Sequence, residues 1–179
     1  PNIIFPDADL EKAADMAAFG IFFNQGEVCS ANSRLLVHSS IKDQMVGKLR
    51  ERAEKIKQGN PLDPATTMGA MVDVNHAKKV EEFLNVGKAE AKLITGGDRF
   101  SINDSDAFIQ PTIFADVSED ATIARDEIFG PVLAIQTFDT EDEAIKIANK
   151  SVYGLAASVW TSELARAMDL SDKLHVGTV

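Results

Sequence analysis

The chain has 179 residues, 45% of them hydrophobic and 26% charged, and a formal net charge of −10. This is about one domain's worth of chain with the composition of an ordinary folded protein, not a disordered one. The acidic balance argues against generic binding to nucleic acid or to an anionic membrane surface, since both require a basic face.

The single cysteine, Cys29, cannot form an internal disulfide, and no Cys/His cluster has metal-ligand spacing. The longest early apolar run, Met16 to Phe23, is too short to cross a bilayer and lacks a basic leader. A reducing, cytoplasmic setting is the expectation.

Leu10, Ala13, Ala14, Ala17 and Ile21 recur at helical spacing after Asp7 and Asp9, which predicts a helix over about residues 8–24. Arg34 to His38 reads as a short buried strand. Ser40 to Asp43 resembles a capping box opening a helix with Met45, Leu49, Ala53 and Ile56 on one stripe. Gly59 and Pro61 stop it. Ala77, Val80, Phe83, Leu84 and Gly87 line a further helix, and Lys92 to Thr95 is a strand ended by Gly96-Gly97. A polar loop is expected next, then strands over Thr112 to Val117 and Val132 to Phe138. Thr140 to Glu143 is a second capping box, starting a helix through Ile145, Ala148 and Asn149. Leu155 to Trp160 reads as a strand. Glu163 to Leu174 reads as a helix with Leu164, Ala167, Met168 and Ser171 inward. Strand and helix alternate without an internal repeat or linker, which predicts one α/β domain whose open sheet is covered on both faces.

A lone cysteine is usually a buried, inert residue. Cys29, however, follows an apolar helix and Asn24-Gln25-Gly26 and precedes the small Ser30 and Ala31. Gly26 permits a tight turn and a close approach by another segment, and a thiol just past such a turn can face a cleft lined by main-chain N–H groups.

The stretch FFNQGEVCSAN, Phe22 to Asn32, resembles the cysteine signature of the aldehyde dehydrogenase superfamily. PNIIFPDADLEKA resembles the segment that opens that family's catalytic domain, and RDEIFGPV resembles its second signature. YGLAASVWT and the terminal GTV follow in the family's order. Among members, the look is nearest to bacterial gamma-glutamyl-aminobutyraldehyde and related aminoaldehyde dehydrogenases.

The resemblance implies an open, twisted, mostly parallel sheet flanked by helices. Residues 1–179 would be the catalytic domain, truncated at both ends. It makes Cys29 the nucleophile that attacks a small aldehyde, with hydride passing to NAD or NADP and a thioester hydrolysed to the acid. It makes Glu127 the carboxylate that accepts from the nicotinamide-ribose hydroxyls, and Phe129 the aromatic residue against the nicotinamide. Phe23, Val28 and Ser30 would flank the substrate, with Phe23 equally suited to the core. His76 and Lys79 fall where members place polar groups near the same ribose, but a surface histidine and a solvated lysine are the plainer readings. His38 and His175 are read as structural. Glu27, if ionised and close to Cys29, would oppose thiolate formation.

The departures also shape the expectation. The water-activating Glu of the family belongs to a Glu-Leu-Gly-Gly-Lys stretch upstream of the segment matching PNIIF. The Asn of the oxyanion hole and the Rossmann-like cofactor domain lie further upstream, and the substrate-pocket and oligomerisation elements lie downstream. No G-x-G-x-x-G occurs here. These 179 residues alone are therefore expected to hold the cofactor weakly and to be nearly inactive, whereas whole family enzymes are homo-oligomers. Two other readings remain open: a non-enzymatic module that pairs with full-length subunits, and a thiol hydrolase or transferase with Cys29 activated by His38, His76 or His175.

Overall fold

The chain forms the strands Asn2–Ile4 (β1), Arg34–His38 (β2), Lys92–Thr95 (β3), Arg99–Ile102 (β4), Ser105–Ile109 (β5), Thr112–Ala115 (β6), Val132–Phe138 (β7) and Ser158–Trp160 (β8). The helices are Leu10–Phe22 (α1), Lys42–Glu54 (α2), Val74–Glu90 (α3), Thr122–Arg125 (α4), Glu141–Asn149 (α5) and Leu164–Lys173 (α6). The computed structural model describes all 179 residues. Six strands form one sheet in the order β3-β6-β7-β2-β1-β8, with β3 antiparallel at its edge and every other neighbouring pair parallel. The expected α/β class, mostly parallel and flanked by helices, is what the chain adopts. No helix is long and apolar enough to cross a membrane.

The central strands are largely apolar because both of their faces are covered, with Arg34 and Gln136 as buried polar exceptions. On one face α1 and α2 pack against Ile4, Leu35, Val37 and Ile135. The alanines of α1, Ala13, Ala14 and Ala17, are fully or almost fully buried and let that helix lie close to the sheet. On the other face α3 covers Phe114, Val132 and Ala134, while α5 and α6 cover Ile3, Leu36 and Phe138. Each such aliphatic or aromatic side chain contributes about 1.5–3 kcal/mol when fully buried. Gly87 of α3 packs so tightly on the Phe114 ring that a Cβ there would lie 2.8 Å from it.

Several expectations change. The predicted helix over 8–24 ends at Phe22, because Asn24 and Gln25 turn left-handed. Ser40 caps nothing: α2 has no side-chain cap, and the Ser40 amide and hydroxyl both bond His38 Nδ1 across a short 3₁₀ turn. Thr140 does cap α5 through the Glu143 amide, but the returning Glu143 carboxylate bonds the Asp139 amide rather than that of Thr140. The polar loop after Gly97 is a hairpin of β4 and β5, turned by Asn103 and Asp104 with positive φ. Asn2–Ile4, given no element by periodicity, is a strand between β2 and β8.

The inward face of α6 was also misread. Leu164 and Met168 are 76% and 58% exposed, whereas Leu170 and Leu174 are buried. Leu170 and Leu174 continue a spacing of four that begins at Arg166, and Arg166 sets the face. Its guanidinium lies 4.8 Å from the Phe5 ring centroid and donates to Asp7 Oδ1 at 2.9 Å and Glu141 Oε1 at 2.6 Å. Asp7 Oδ2 also accepts from the Thr161 hydroxyl, the Ser162 hydroxyl and the Ser162 amide, each at 2.7 Å.

Burial pushes the Asp7 carboxyl up, but the hydrogen bonds from Thr161 and Ser162 outweigh it and hold the group well below the usual carboxylate range. A depressed folded-state value stabilises the fold above the unfolded-state value of about 4, and that contribution is lost as pH falls below it. Asp7→Asn is expected to lower the denaturant midpoint at neutral pH and to flatten its decline below about pH 4. An acid limb identical to wild type would show that this carboxylate does not link folding to protons.

Candidate active site

The approach to Cys29 is set by the end of α1. After Phe22, Asn24 and Gln25 take φ of 49° and 58°, and Gly26 takes 71°. Left-handed backbone at a non-glycine residue costs roughly 1–2 kcal/mol. Asn24 offsets part of it by donating its side-chain N–H to the Glu27 carbonyl at 3.1 Å. At Gly26 no other residue fits: a Cβ would lie 2.2 Å from the carbonyl oxygen of Gly130. The chain then turns over Val28 to Ala31, closed by the Ala31 amide donating to the Val28 carbonyl at 2.9 Å. Cys29 is exposed on this turn, and its amide N–H donates to no group of the chain.

Gly130 belongs to the second motif. Between α4 and β7 the chain passes through Asp126, Glu127, Ile128, Phe129 and Gly130. Ile128 is buried and Glu127 exposed. Phe129 has φ of 55° and is 37% exposed. The contact of Gly26 with Gly130 thus places the cysteine turn against this segment. Cys29, Glu127 and Phe129 line one open cavity of about 260 Å³, together with Val28, Ser30, Arg34 and Tyr153. Its lining residues Pro1, Arg34, Gly130 and Ala156 stand just before or at the start of β1, β2, β7 and β8, so the cavity lies at the amino ends of parallel strands.

Three sequence expectations need correction or completion. The Glu27 carboxylate is committed elsewhere: Oε1 accepts from the Val72 amide at 3.0 Å and lies 3.7 Å from His76 Nε2. His76 is not a free surface residue. Its side chain is 21% exposed, and Nε2 is 2.7 Å from the Phe129 carbonyl oxygen. Phe23 is neither core nor cavity lining: it is 57% exposed, with its ring 5.0 Å from that of Phe19. Lys79 is solvated, as expected.

No imidazole is hydrogen-bonded to the Cys29 sulfur. His38 is tied to Ser40 and His76 to Phe129, and the His175 ring has no bond at all. Residue-by-residue reasoning missed Tyr153, whose phenolic oxygen accepts from the Glu127 amide at 3.3 Å. Its signal was the YGLAASVWT motif. It also missed Arg34, whose buried guanidinium donates to the Ile147 and Ala148 carbonyls at 3.3 and 2.8 Å and holds the end of α5.

The family model for the aldehyde dehydrogenase family matches residues 1–179. The chain belongs to the aldehyde dehydrogenase family. It is 45% identical over 179 residues to the NADP/NAD-dependent aldehyde dehydrogenase PuuC of Escherichia coli (strain K12), covering 99% of this chain and 36% of that protein. It is 43% identical to betaine aldehyde dehydrogenase of Bacillus subtilis (strain 168), covering all of this chain and 37% of that one. Among solved structures, the gamma-glutamyl-gamma-aminobutyraldehyde dehydrogenase of Burkholderia cenocepacia J2315 superposes with a TM-score of 0.96 at 50% identity, over 100% of this chain and 36% of its own. An indole-3-acetaldehyde dehydrogenase of P. syringae, solved with NAD+, gives a TM-score of 0.97 at 48% identity, over 100% of this chain and 37% of its own. The chain thus spans little more than a third of the length of these aldehyde dehydrogenases.

The Gly26–Gly130 contact yields a paired prediction. Gly26→Ala is expected to destabilise the fold by more than about 1 kcal/mol, because it combines a left-handed φ with a backbone clash. Gly47→Ala, inside α2 with nothing within 4 Å of its Cβ, is expected to stabilise it by about 0.5–1 kcal/mol. Urea unfolding of both variants measures the contrast, and equal effects would remove the special role given to Gly26.

Proposed function

We propose that this chain carries the thiol-bearing part of an NAD(P)-dependent aldehyde dehydrogenase that oxidises a small aldehyde to its carboxylic acid in the cytoplasm. One observation carries the reading. Cys29, on a turn with its own amide free, shares a cavity with Glu127 and Phe129. The aldehyde dehydrogenases it resembles include one named as NADP/NAD-dependent and one solved with NAD+.

The lining fits the nicotinamide end of a dinucleotide. The exposed Glu127 carboxylate offers two acceptor oxygens to a vicinal diol, and the half-exposed Phe129 ring offers a flat apolar edge. Tyr153 fixes the main chain at Glu127. Bound there, the dinucleotide supplies the acceptor for the hydride lost from the former aldehyde carbon.

The remaining chemistry belongs to Cys29. Its thiolate adds to the carbonyl carbon, forming the C–S bond and moving the C=O electron pair onto oxygen. The Cys29 amide N–H is available to that oxyanion. Loss of hydride leaves a thioester on Cys29, and attack by water breaks the C–S bond, releasing the acid and restoring the thiol. Val28 and Ser30 leave small walls beside the sulfur, suited to an unhindered aldehyde.

One oxyanion donor is fewer than acyl chemistry ordinarily uses, and each donor is worth on the order of a hundred- to a thousandfold in turnover. In this reading Glu127 is occupied with the dinucleotide and does not activate the water. Turnover by the 179 residues alone is therefore expected to be slow.

The test is reduction of NAD+ and NADP+ by the complete reading frame that carries this chain. The panel includes gamma-glutamyl-aminobutyraldehyde, betaine aldehyde and indole-3-acetaldehyde. Cys29→Ser is expected to lose on the order of a thousandfold or more in kcat. Glu127→Gln is expected to raise the dinucleotide KM with a smaller effect on the aldehyde KM. Full activity in Cys29→Ser would overturn the assignment.

A further inference from the structure

Three segments far apart in sequence meet at one imidazole. His76, in the first turn of α3, places Nε2 2.7 Å from the Phe129 carbonyl oxygen and 3.7 Å from Glu27 Oε1. No backbone amide bonds the Phe129 oxygen, so the imidazole is its partner in the chain. A carbonyl only accepts, so Nε2 must carry the hydrogen, as it does in both the imidazolium and one neutral tautomer. On the other side, Glu27 Oε1 is fastened to the entrance of α3 by the Val72 amide. The side chains of His76 and Glu27 are 21% and 9% exposed, so this polar group is largely sheltered from water, where its bonds strengthen. Phe129 holds a left-handed conformation that a non-glycine residue keeps only where its surroundings determine it.

We propose that His76 and Glu27 form a brace from α3 that sets the Phe129 turn relative to the Cys29 loop, with His76 a positioning residue for the dinucleotide end of the cavity. The proposal rests on the functional reading above. Glu27 anchors the cysteine loop to α3. His76 anchors the Phe129 peptide to the same helix turn. The Gly26–Gly130 contact closes the triangle. Without the imidazole, the Phe129 carbonyl has no protein donor and the turn is free to relax, which misplaces the ring and the neighbouring Glu127.

His76→Ala, His76→Gln and Glu27→Ala are compared in the complete reading frame that carries this chain. His76→Ala is expected to raise the dinucleotide KM roughly five- to tenfold, the scale of one hydrogen bond, with kcat and the aldehyde KM little changed. His76→Gln, whose amide N–H can reach the same carbonyl, is expected to restore most of the loss. In the 179-residue chain without cofactor, hydrogen–deuterium exchange is expected to speed up in His76→Ala over residues 24–31 and 127–132 and to stay unchanged in α2 and α5. Glu27→Ala is expected to loosen only residues 24–31. An unchanged dinucleotide KM, unchanged exchange in the two loops, or a Gln variant no better than Ala would overturn the brace. A wild-type reading frame that oxidises no aldehyde would sink the functional reading instead, and the exchange measurement would still decide the brace.

Discussion

Gly26 and Gly130 touch backbone to backbone, and that contact makes one site out of two motifs. There is no room for a side chain between them: a Cβ on Gly26 would sit inside the Gly130 carbonyl. The consequence runs outward in both directions. On one side the chain must leave α1 through successive left-handed residues and turn Cys29 outward. On the other, Phe129 must turn left-handed and present its ring and the adjacent carboxylate to the same opening. A glycine pair supplies closeness but no direction. Direction comes from the polar links around it: Asn24 to the Glu27 carbonyl, Glu27 to Val72, His76 to Phe129, and Tyr153 to Glu127.

These links explain how Glu27 is held two residues from Cys29. Read along the chain, a carboxylate two residues from a cysteine looks adverse. In space its oxygen is spent on a main-chain N–H and an imidazole at the start of α3. The three positive φ values lie just before Glu27, at Asn24, Gln25 and Gly26, and turn the chain so that this carboxylate reaches the start of α3. The strain of that turn, roughly 1–2 kcal/mol at each non-glycine residue, persists because α1 and the sheet beneath it are over-determined by buried contacts.

What could be read from the sequence follows from what each signal measures. β2 and β7 were legible because burial on both faces makes them largely apolar, and α5 because Thr140 is a true cap. The β4–β5 hairpin was not, because its strands carry Arg, Ser and Asp and its turn is Asn-Asp rather than the more telling Asn-Gly. α6 was rotated in the reading because Leu164 and Met168 are apolar yet face outward, while the inward stripe includes an arginine. Hydropathy periodicity has no way to place a guanidinium against a phenylalanine ring. The grouping of Cys29, Glu127 and Phe129 came from motif resemblance alone, since spacing says nothing about which distant loops converge. His76 carried no signal of its bond to Phe129, because that bond depends on a left-handed peptide that the sequence does not announce.

The position of the cavity limits what it can hold. Open parallel sheets usually bind ligands at the carboxyl ends of their strands, where helix N-termini face phosphates. Here the lining lies at the amino ends, beside Ile21 and Ser151 near the C-terminal ends of α1 and α5. Helix C-termini carry partial negative charge, and that of α5 is already occupied by the Arg34 guanidinium. The cavity is bordered by helix C-terminal ends, not by the helix N-terminus that commonly holds a diphosphate. The absence of a glycine-rich phosphate loop in the sequence and the dipole direction at this edge therefore agree. In the proposed reading these residues meet the reacting end of a dinucleotide, with Glu127 and Phe129 as its contacts and Cys29 lining the same cavity.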